Sequence, residues 1–510
     1  MSDSRTKNAT RNIAFGFLHK IVLLFLPFVI RSLILNLLGA NYLGIGTIFS
    51  SILDFLSLTE LGAGSAIIYS LYKPVAEKDT ERICQLLNFY KNIYRFIGFL
   101  VLGIGTAILP FITVLMDGEA PPEINVYILY YIYLIRSVVG YFFFAYKRSL
   151  LTVHQRTDVI SVFSTITVLI VQLGQVFLLY FFKNFYVYAA VPIVGALLSN
   201  LVVAFVTKKK YPMYVAKGTL DKATKREIFS KMAGLFGSKL NSVVVNSSDA
   251  VVLSAFCGLS ITGIYGNYHH IMVSVCGFVM IFFHSMTAGI GNKIVTDTLE
   301  ENYTLFKKLS FVNFWIVGLG SVAFLCLYEP FMKLWMGEKM LLGLPFVICM
   351  VLYFFCFEIQ RTIFAFKEAA GIWQKDKLRP FVSMGINIVG NLVLVNVFGV
   401  SGVVIATMLC YLLTLPWLNN TLFKSVFTHV KPSENLFRIL KYFIVTAIAC
   451  VATYLPTMLL GDSFLDFCLR VLMCLVIPNI IFAIIFFRSP EFEYFKAQMK
   501  SIVKKFVKKH

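Results

Sequence analysis

RNIAFGFLHKIVLLFLPFVIRSLILNLLGANYLGIGTIFSSILDFLSLTELGAGSAIIYSLYKPVAEKD, residues 11–79, reads as two long apolar stretches joined by a short Gly-containing turn and closed by a charged segment. Each stretch exceeds the roughly 20 residues that cross a hydrocarbon core of about 30 Å. The first is too long for the apolar region of a signal peptide and no small-residue cleavage site follows, so it reads as a retained first span. Backbone in lipid must satisfy its own hydrogen bonds, which makes both stretches helices. Yet Lys20, Arg31, Asp54 and Glu60 lie inside them.

The pattern continues along all 510 residues. Fourteen spans are predicted, near 12–38, 43–72, 93–115, 125–146, 159–182, 186–206, 229–256, 260–290, 309–328, 343–365, 380–399, 402–422, 438–460 and 468–487. Hydrophobic residues make up 58% of the chain and charged residues 14%, which excludes an ordinary soluble enzyme of this length. A soluble core would need many buried helices of this length without a polar face. The expected fold class is an all-α polytopic membrane protein of about 14 transmembrane helices.

Forty-six Lys and Arg stand against 26 acids, a balance that in a soluble chain suggests nucleic acid. Here all the basic residues but eight fall in the head, the tail and alternate loops, which is the positive-inside pattern. The opposite side holds only Lys183, Lys333 and Lys339; Lys20, Arg31, Arg136, Lys239 and Arg470 lie within spans or at an outer edge. Both termini are therefore expected in the cytoplasm, and nucleic acid is not an expected partner. In the tail, Phe492, Phe495, Met499, Ile502, Val503 and Phe506 fall at helical spacing between lysines, which reads as a basic amphipathic helix on the inner leaflet.

Enzyme chemistry finds no support. The ten cysteines never form CxxC and lie mostly within spans, as small buried hydrophobes. Neither a metal site nor a cofactor is indicated: the cytoplasmic loops lack a GxxxxGKS/T phosphate cradle and an HExxH motif. The longest external loops, 116–125, 329–342 and 461–467, are too short to fold a catalytic domain. The chain reads as one that moves something.

An internal repeat supports that reading. At an offset of 219, Phe17 meets Phe236, Lys20 meets Lys239, Gly39 meets Gly258, Gly44 meets Gly263 and Ile45 meets Ile264. Two parallel lobes follow: spans 1–6 in residues 1–206 and spans 7–12 in 229–422, joined by a basic cytoplasmic loop at 207–228. Spans 13–14, at 438–487, form an appended pair, and 488–510 the basic tail. Repeat interfaces are where transporters place their sites.

An ionisable group at bilayer depth costs about 2.5–3.5 kcal/mol on insertion scales, so each one needs water, a partner or a substrate. Lys20 and Arg31 are three helical turns apart on one face of span 1. Lys239, Ser242, Asn246 and Asp249 form a polar stripe on span 7, while Asp54, Ser57 and Glu60 lie on span 2 and Arg136 near the middle of span 4. With the lobes facing through spans 1, 2, 7 and 8, these groups would line a cationic cavity for an anion with a polar body: phosphate pairs well with Arg, and aromatic and amide groups suit sugar rings. The substrate candidates are Arg31, Lys239, Arg136, Lys20 and Asn246. Lys20 and Lys239 also fit simple snorkelling to the inner edge. Glu60, Asp249 and Asp54 are read as ion-coupling residues or counter-ions, with Asp249 pairing Arg31 as the plainer alternative. Glu358 and Arg361 read as a structural i,i+3 pair, and Arg470 as an interfacial partner of Asp466.

The run 11–79, the following LLNFYKNIYRFIG and the later FGVSGVVIATMLCYLL resemble Wzx-type polysaccharide flippases of bacteria. That resemblance implies the multidrug/oligosaccharidyl-lipid/polysaccharide exporter superfamily, with two lobes opening alternately to either side. It implies undecaprenyl-diphosphate-linked oligosaccharide as cargo, the bacterial cytoplasmic membrane as location, and diphosphate contacts at positions matching Arg31, Lys20 and Lys239. O antigen and capsule are both pathways it allows. Glycan polymerase machinery and a coupling Na+ or H+ are further partners to weigh beside the bilayer. The alternatives are a cation-coupled multidrug exporter, which calls for a more acidic cavity, and a polysaccharide polymerase or glycosyltransferase, which the short external loops disfavour.

Overall fold

The computed structural model describes residues 26–57, 60, 63–116, 120–154, 156–372 and 374–497. Lys20 lies outside them. The elements are helices: α1 (Leu26–Leu37), α2 (Ala40–Ser57), α3 (Ala63–Glu77), α4 (Thr80–Ile108), α5 (Val126–Phe142), α6 (Arg148–Val153), α7 (Thr157–Phe182), α8 (Phe185–Lys210) and α9 (Lys222–Thr296). They continue as α10 (Leu299–Met336), α11 (Leu344–Glu358), α12 (Arg361–Ala369), α13 (Arg379–Phe398), α14 (Val400–Phe423), α15 (Pro432–Thr457) and α16 (Phe464–Phe486). Among the described residues, ten helices are long and apolar enough to cross a membrane. The chain is a multi-pass membrane protein.

Helix ends fall where the sequence supplies caps. The side chains of Asp79, Asn125 and Asn184 accept from backbone N–H groups at the starts of α4, α5 and α8. Thr298 with Glu301, and Ser463 with Asp466, form capping boxes on α10 and α16. Asp466 is thus engaged at its own helix start, and Arg470 donates instead to the carbonyl oxygens of Leu460 (2.7 Å) and Thr457 (3.4 Å), which corrects the expected Asp466–Arg470 pair.

The span predicted at 43–72 contains α2, through Ser57, and α3, from Ala63, with Glu60 between them. The spans predicted at 229–256 and 260–290 run in one 75-residue element, α9, broken at Gly258 by a left-handed φ of 84°. Only glycine takes that φ without a clash, so the sequence sets where the direction changes.

The chain divides into two compact units, Met1–Gly266 and Asn267–His510, a boundary inside α9 and beyond the 207–228 loop. In the first unit Phe49 on α2 meets Tyr130 and Tyr133 of α5 edge-on, at 5.5 and 5.4 Å between ring centroids. In the second, α10 is the spine: Phe314 stacks on Tyr442 of α15 at 4.2 Å, and Trp315 Nε1 donates to Asn479 Oδ1 of α16 at 2.7 Å. Helix α13 is inverted relative to a soluble amphipathic helix. Its Ser383, Asn387 and Asn391 are buried, while Val389, Val393 and Val397 are exposed. Ser383 meets Cys410 Sγ, and Asn387 Nδ2 donates to Thr407 Oγ1 on α14, both at 2.9 Å. Polar groups bond to polar groups inside because lipid offers them no partner.

The basic segments between helices do more than carry charge. Residues 211–221 form a strap along the N-terminal end of α4: Arg82 donates to Asp221 at 2.8 Å, Asn88 Nδ2 donates to the Gly218 carbonyl at 2.8 Å, and Tyr211 lies 4.2 Å from the His154 ring. In the second unit Asp376, held by Lys367 and Arg379, is buried with both. Glu358 takes Arg361 bidentately at 2.7 and 2.8 Å, the expected i,i+3 pair. Where the tail is described it is helical, and Phe492 and Phe495 stack on Trp315 of α10, at 5.5 and 4.7 Å. Residues 498–510 lie outside the described ones.

Two outcomes follow from these contacts. Asp376→Ala leaves two cations buried without their carboxylate, a loss of about 3–5 kcal/mol, to be read as a lowered melting temperature in detergent. The backbone N–H of Thr224, and then Arg82, hold the Asp221 carboxyl well below the usual carboxylate range. A depressed folded pKa stabilises above the unfolded value, near 3.9, and the effect fades as pH falls through the folded one. Protease nicking of the strap in inside-out vesicles should therefore stay constant from about pH 5 to 8, and Asp221→Asn should raise it throughout that range.

Candidate functional site

In the first unit Arg31, Arg136, Asp54, Glu60 and Arg148 fall into two clusters. Arg31, partly buried on α1, lies within electrostatic range of Tyr133 on α5 and Tyr188 on α8. Arg136 lies one turn beyond Tyr133, in electrostatic range of Tyr133, Tyr188 and the Asp54 carboxylate of α2. Three helices thus bring two guanidinium groups to a shared pair of phenols. Tyr133 is 5% exposed and fixed against Phe49, while Arg136 and Asp54 are open. Tyr188 is held by its ring on Phe185 at 5.2 Å. Beside Arg31, Thr47 of α2 and Gly266 of α9 meet so closely that a Cβ on Gly266 would lie 2.9 Å from Arg31 Nη2 and 2.8 Å from Thr47 Oγ1.

A second cluster surrounds Glu60. The Tyr94 hydroxyl donates to Glu60 Oε1, and the Tyr90 hydroxyl donates to that of Tyr94 at 2.8 Å. Tyr141 of α5 also faces the carboxylate. Arg148 on α6 lies in range of Tyr90 and Tyr94 and donates from Nη2 to Ser199 Oγ of α8 at 2.9 Å. Glu60 is thus solvated by protein phenols within one unit. Such a nest stabilises a carboxylate where water is scarce.

The predicted stripe on span 7 separates. Asp249 is buried and accepts from the Tyr265 hydroxyl at 3.2 Å, whereas Asn246 is exposed and bonds back to the Ser242 carbonyl at 2.5 Å. Lys239 lies on α9, with its side chain outside the described residues. Sequence reasoning missed Tyr133, Tyr188, Tyr90, Tyr94 and Tyr141, and counted Arg148 as a loop charge. The spacing of Tyr133 with Arg136 and of Tyr90 with Tyr94 was the available signal.

A sequence profile described as polysaccharide biosynthesis protein matches residues 9–287, more than half of the chain. The chain belongs to that family. Within it, the matched region contains both clusters, the strap and the Gly258 break. Among curated protein sequences none matches. Among solved structures the chain is similar to the lipid II flippase MurJ in an inward closed conformation, at 17% identity and a TM-score of 0.69, over 93% of this chain and 98% of that one. It is also similar to the Vibrio cholerae MATE transporter VcmN, at 12% identity and a TM-score of 0.57, over 84% of this chain and 98% of that one. An inward-facing MATE family transporter of the MOP superfamily matches at 15% identity and a TM-score of 0.57, over 78% and 94%. This member of the polysaccharide biosynthesis family therefore has the fold of MOP-superfamily flippases and transporters.

The Glu60 nest has a direct check. Tyr94→Phe removes one donor from a carboxylate at bilayer depth, a cost of about 1–3 kcal/mol. The expected result is a lower melting temperature in detergent; an unchanged one would show that the bond contributes nothing.

Proposed function

We propose that this protein is a flippase that moves undecaprenyl-diphosphate-linked oligosaccharide from the inner to the outer leaflet of the bacterial cytoplasmic membrane by alternating access, for surface polysaccharide biosynthesis. The observation that carries the reading is the Arg31–Tyr133–Arg136–Tyr188 cluster, two guanidiniums and two phenols at bilayer depth in a polysaccharide biosynthesis family member. A diphosphate offers several anionic oxygens in the planar pattern that guanidinium reads bidentately. The phenols add hydrogen bonds and aromatic surface suited to sugar. The polyprenyl tail would stay in lipid, so only the head group crosses inside protein.

Lys20, Lys239 and Asn246 are secondary substrate contacts in this proposal, and Asp54 a counter-charge for Arg136 when cargo is absent. Glu60 in its tyrosine nest is the coupling residue for Na+ or H+, and Asp249 the lesser candidate. A multidrug exporter would present an acidic cavity to cationic drugs, which two arginines oppose.

Arg31→Ala and Arg136→Ala are each expected to weaken head-group binding by about 1.5–3 kcal/mol, roughly ten- to hundredfold. Surface glycan should fall, the lipid-linked unit should accumulate in the inner leaflet, and Arg31→Lys should recover part of the loss. Full glycan output from both alanine variants at normal expression, or altered drug sensitivity in place of a glycan defect, would overturn the proposal.

A further inference from the structure

The α1–α2 corner and the break in α9 are two copies of one turn. Gly39 and Gly258, partners at the 219-residue offset, both take left-handed φ values, 105° and 84°. One turn further along, the copies pack on each other inside the first unit. A Cβ on Gly44 would lie 2.0 Å from the Leu259 carbonyl oxygen, and one on Gly263 would lie 2.7 Å from the Ala40 carbonyl oxygen. At the same offset Gly44 corresponds to Gly263 and Ala40 to Leu259. Each glycine therefore meets the carbonyl that its counterpart's copy supplies, which is the reciprocal pattern of a local two-fold axis. Thr47 and Gly266 are also partners at that offset, and they face each other at 2.8 Å from Oγ1 to a Cβ position. The axis thus passes beside Arg31, whose Nη2 lies 2.9 Å from that same Cβ position.

Backbone atoms leave no room for a side-chain carbon at Gly44 or Gly263 while the two helices are together. At Gly266 the neighbours are the ends of the Arg31 and Thr47 side chains, so a phosphate entering there has to displace one of them. We infer that the reciprocal contact of Gly44 and Gly263 is the outer gate of the transport path, and that an anionic head group engaging Arg31 from the Gly266 side competes with closure of this gate. Binding at that edge of the guanidinium then does mechanical work on the gate: it favours the state in which α2 and the outer part of α9 separate. The axis is broken in chemistry, since the position equivalent to Arg31 is Ala250. One cation at the axis gives one head group one place to act. This inference deepens the flippase reading and rests on it for the nature of the anion.

The test uses the full chain in right-side-out vesicles, with Ser50→Cys as a reporter. Ser50 is exposed one turn outward of Asp54 on the same face of α2. Labelling by a membrane-impermeant maleimide is compared with the same protein lacking the reporter. Gly44→Ala and Gly263→Ala should each raise outside labelling about tenfold, the shift that a 1.4 kcal/mol bias gives. Gly103→Ala, where a Cβ meets nothing within 4 Å, should leave it unchanged. Undecaprenyl diphosphate in the vesicles should raise labelling in the protein with native glycines and fail to do so with Arg31→Ala. Unchanged labelling in both gate variants would falsify the gate, and so would a native protein indifferent to undecaprenyl diphosphate, an arm that needs no glycine change. The flippase reading fails separately, on normal surface glycan with Arg31→Ala and Arg136→Ala.

Discussion

Hydrocarbon supplies no hydrogen-bond partner, and the arrangement of this chain follows from that constraint. It forces the backbone into helices, turns the polar face of α13 inward onto α14, and sends the valines of α13 outward. It also means that every charge at depth must be solvated by protein. Capped helix ends are the same rule applied to backbone groups.

The charged groups are solvated in two ways, and the difference separates framework pairs from the proposed site. Arg361 meets Glu358, and Arg379 with Lys367 meets Asp376, so these cations are matched by carboxylates in buried pairs. Such pairs fix geometry and have little left to offer a ligand. Arg31 and Arg136 lie in electrostatic range of the phenols of Tyr133 and Tyr188, and Arg136 also of Asp54. A neutral phenol lowers the cost of holding a guanidinium at depth without cancelling its charge. Glu60 follows the same logic with opposite sign, ringed by Tyr94, Tyr90 and Tyr141.

Close backbone approach places the site within reach of motion. Where two helices meet through glycines, the contact surface is small and its strength depends on fit at the van der Waals limit. A gate of that kind closes tightly and separates without breaking a buried ion pair. Its position beside Arg31 links occupancy of the charge cluster to the state of the helices.

The sequence by itself determined the helical membrane class and the two glycine turns, and it holds the residues that cap the helix ends. Each follows from local rules: apolar length, cap chemistry and the left-handed φ that glycine tolerates. The matching of Gly39 with Gly258 was legible because a repeat is a pattern in one dimension. Only the tertiary structure decided that Tyr133 and Tyr188 join Arg31 and Arg136, that Arg148 bonds Ser199 and lies beside the tyrosines near Glu60, that Asp249 receives Tyr265, and that Phe492 and Phe495 cover Trp315. These partners lie tens to hundreds of residues apart, on helices whose rotation about their axes the periodicity of a nearly all-apolar span leaves undefined. A charge in such a span announces that it needs a partner; which partner it finds is set by how the helices pack.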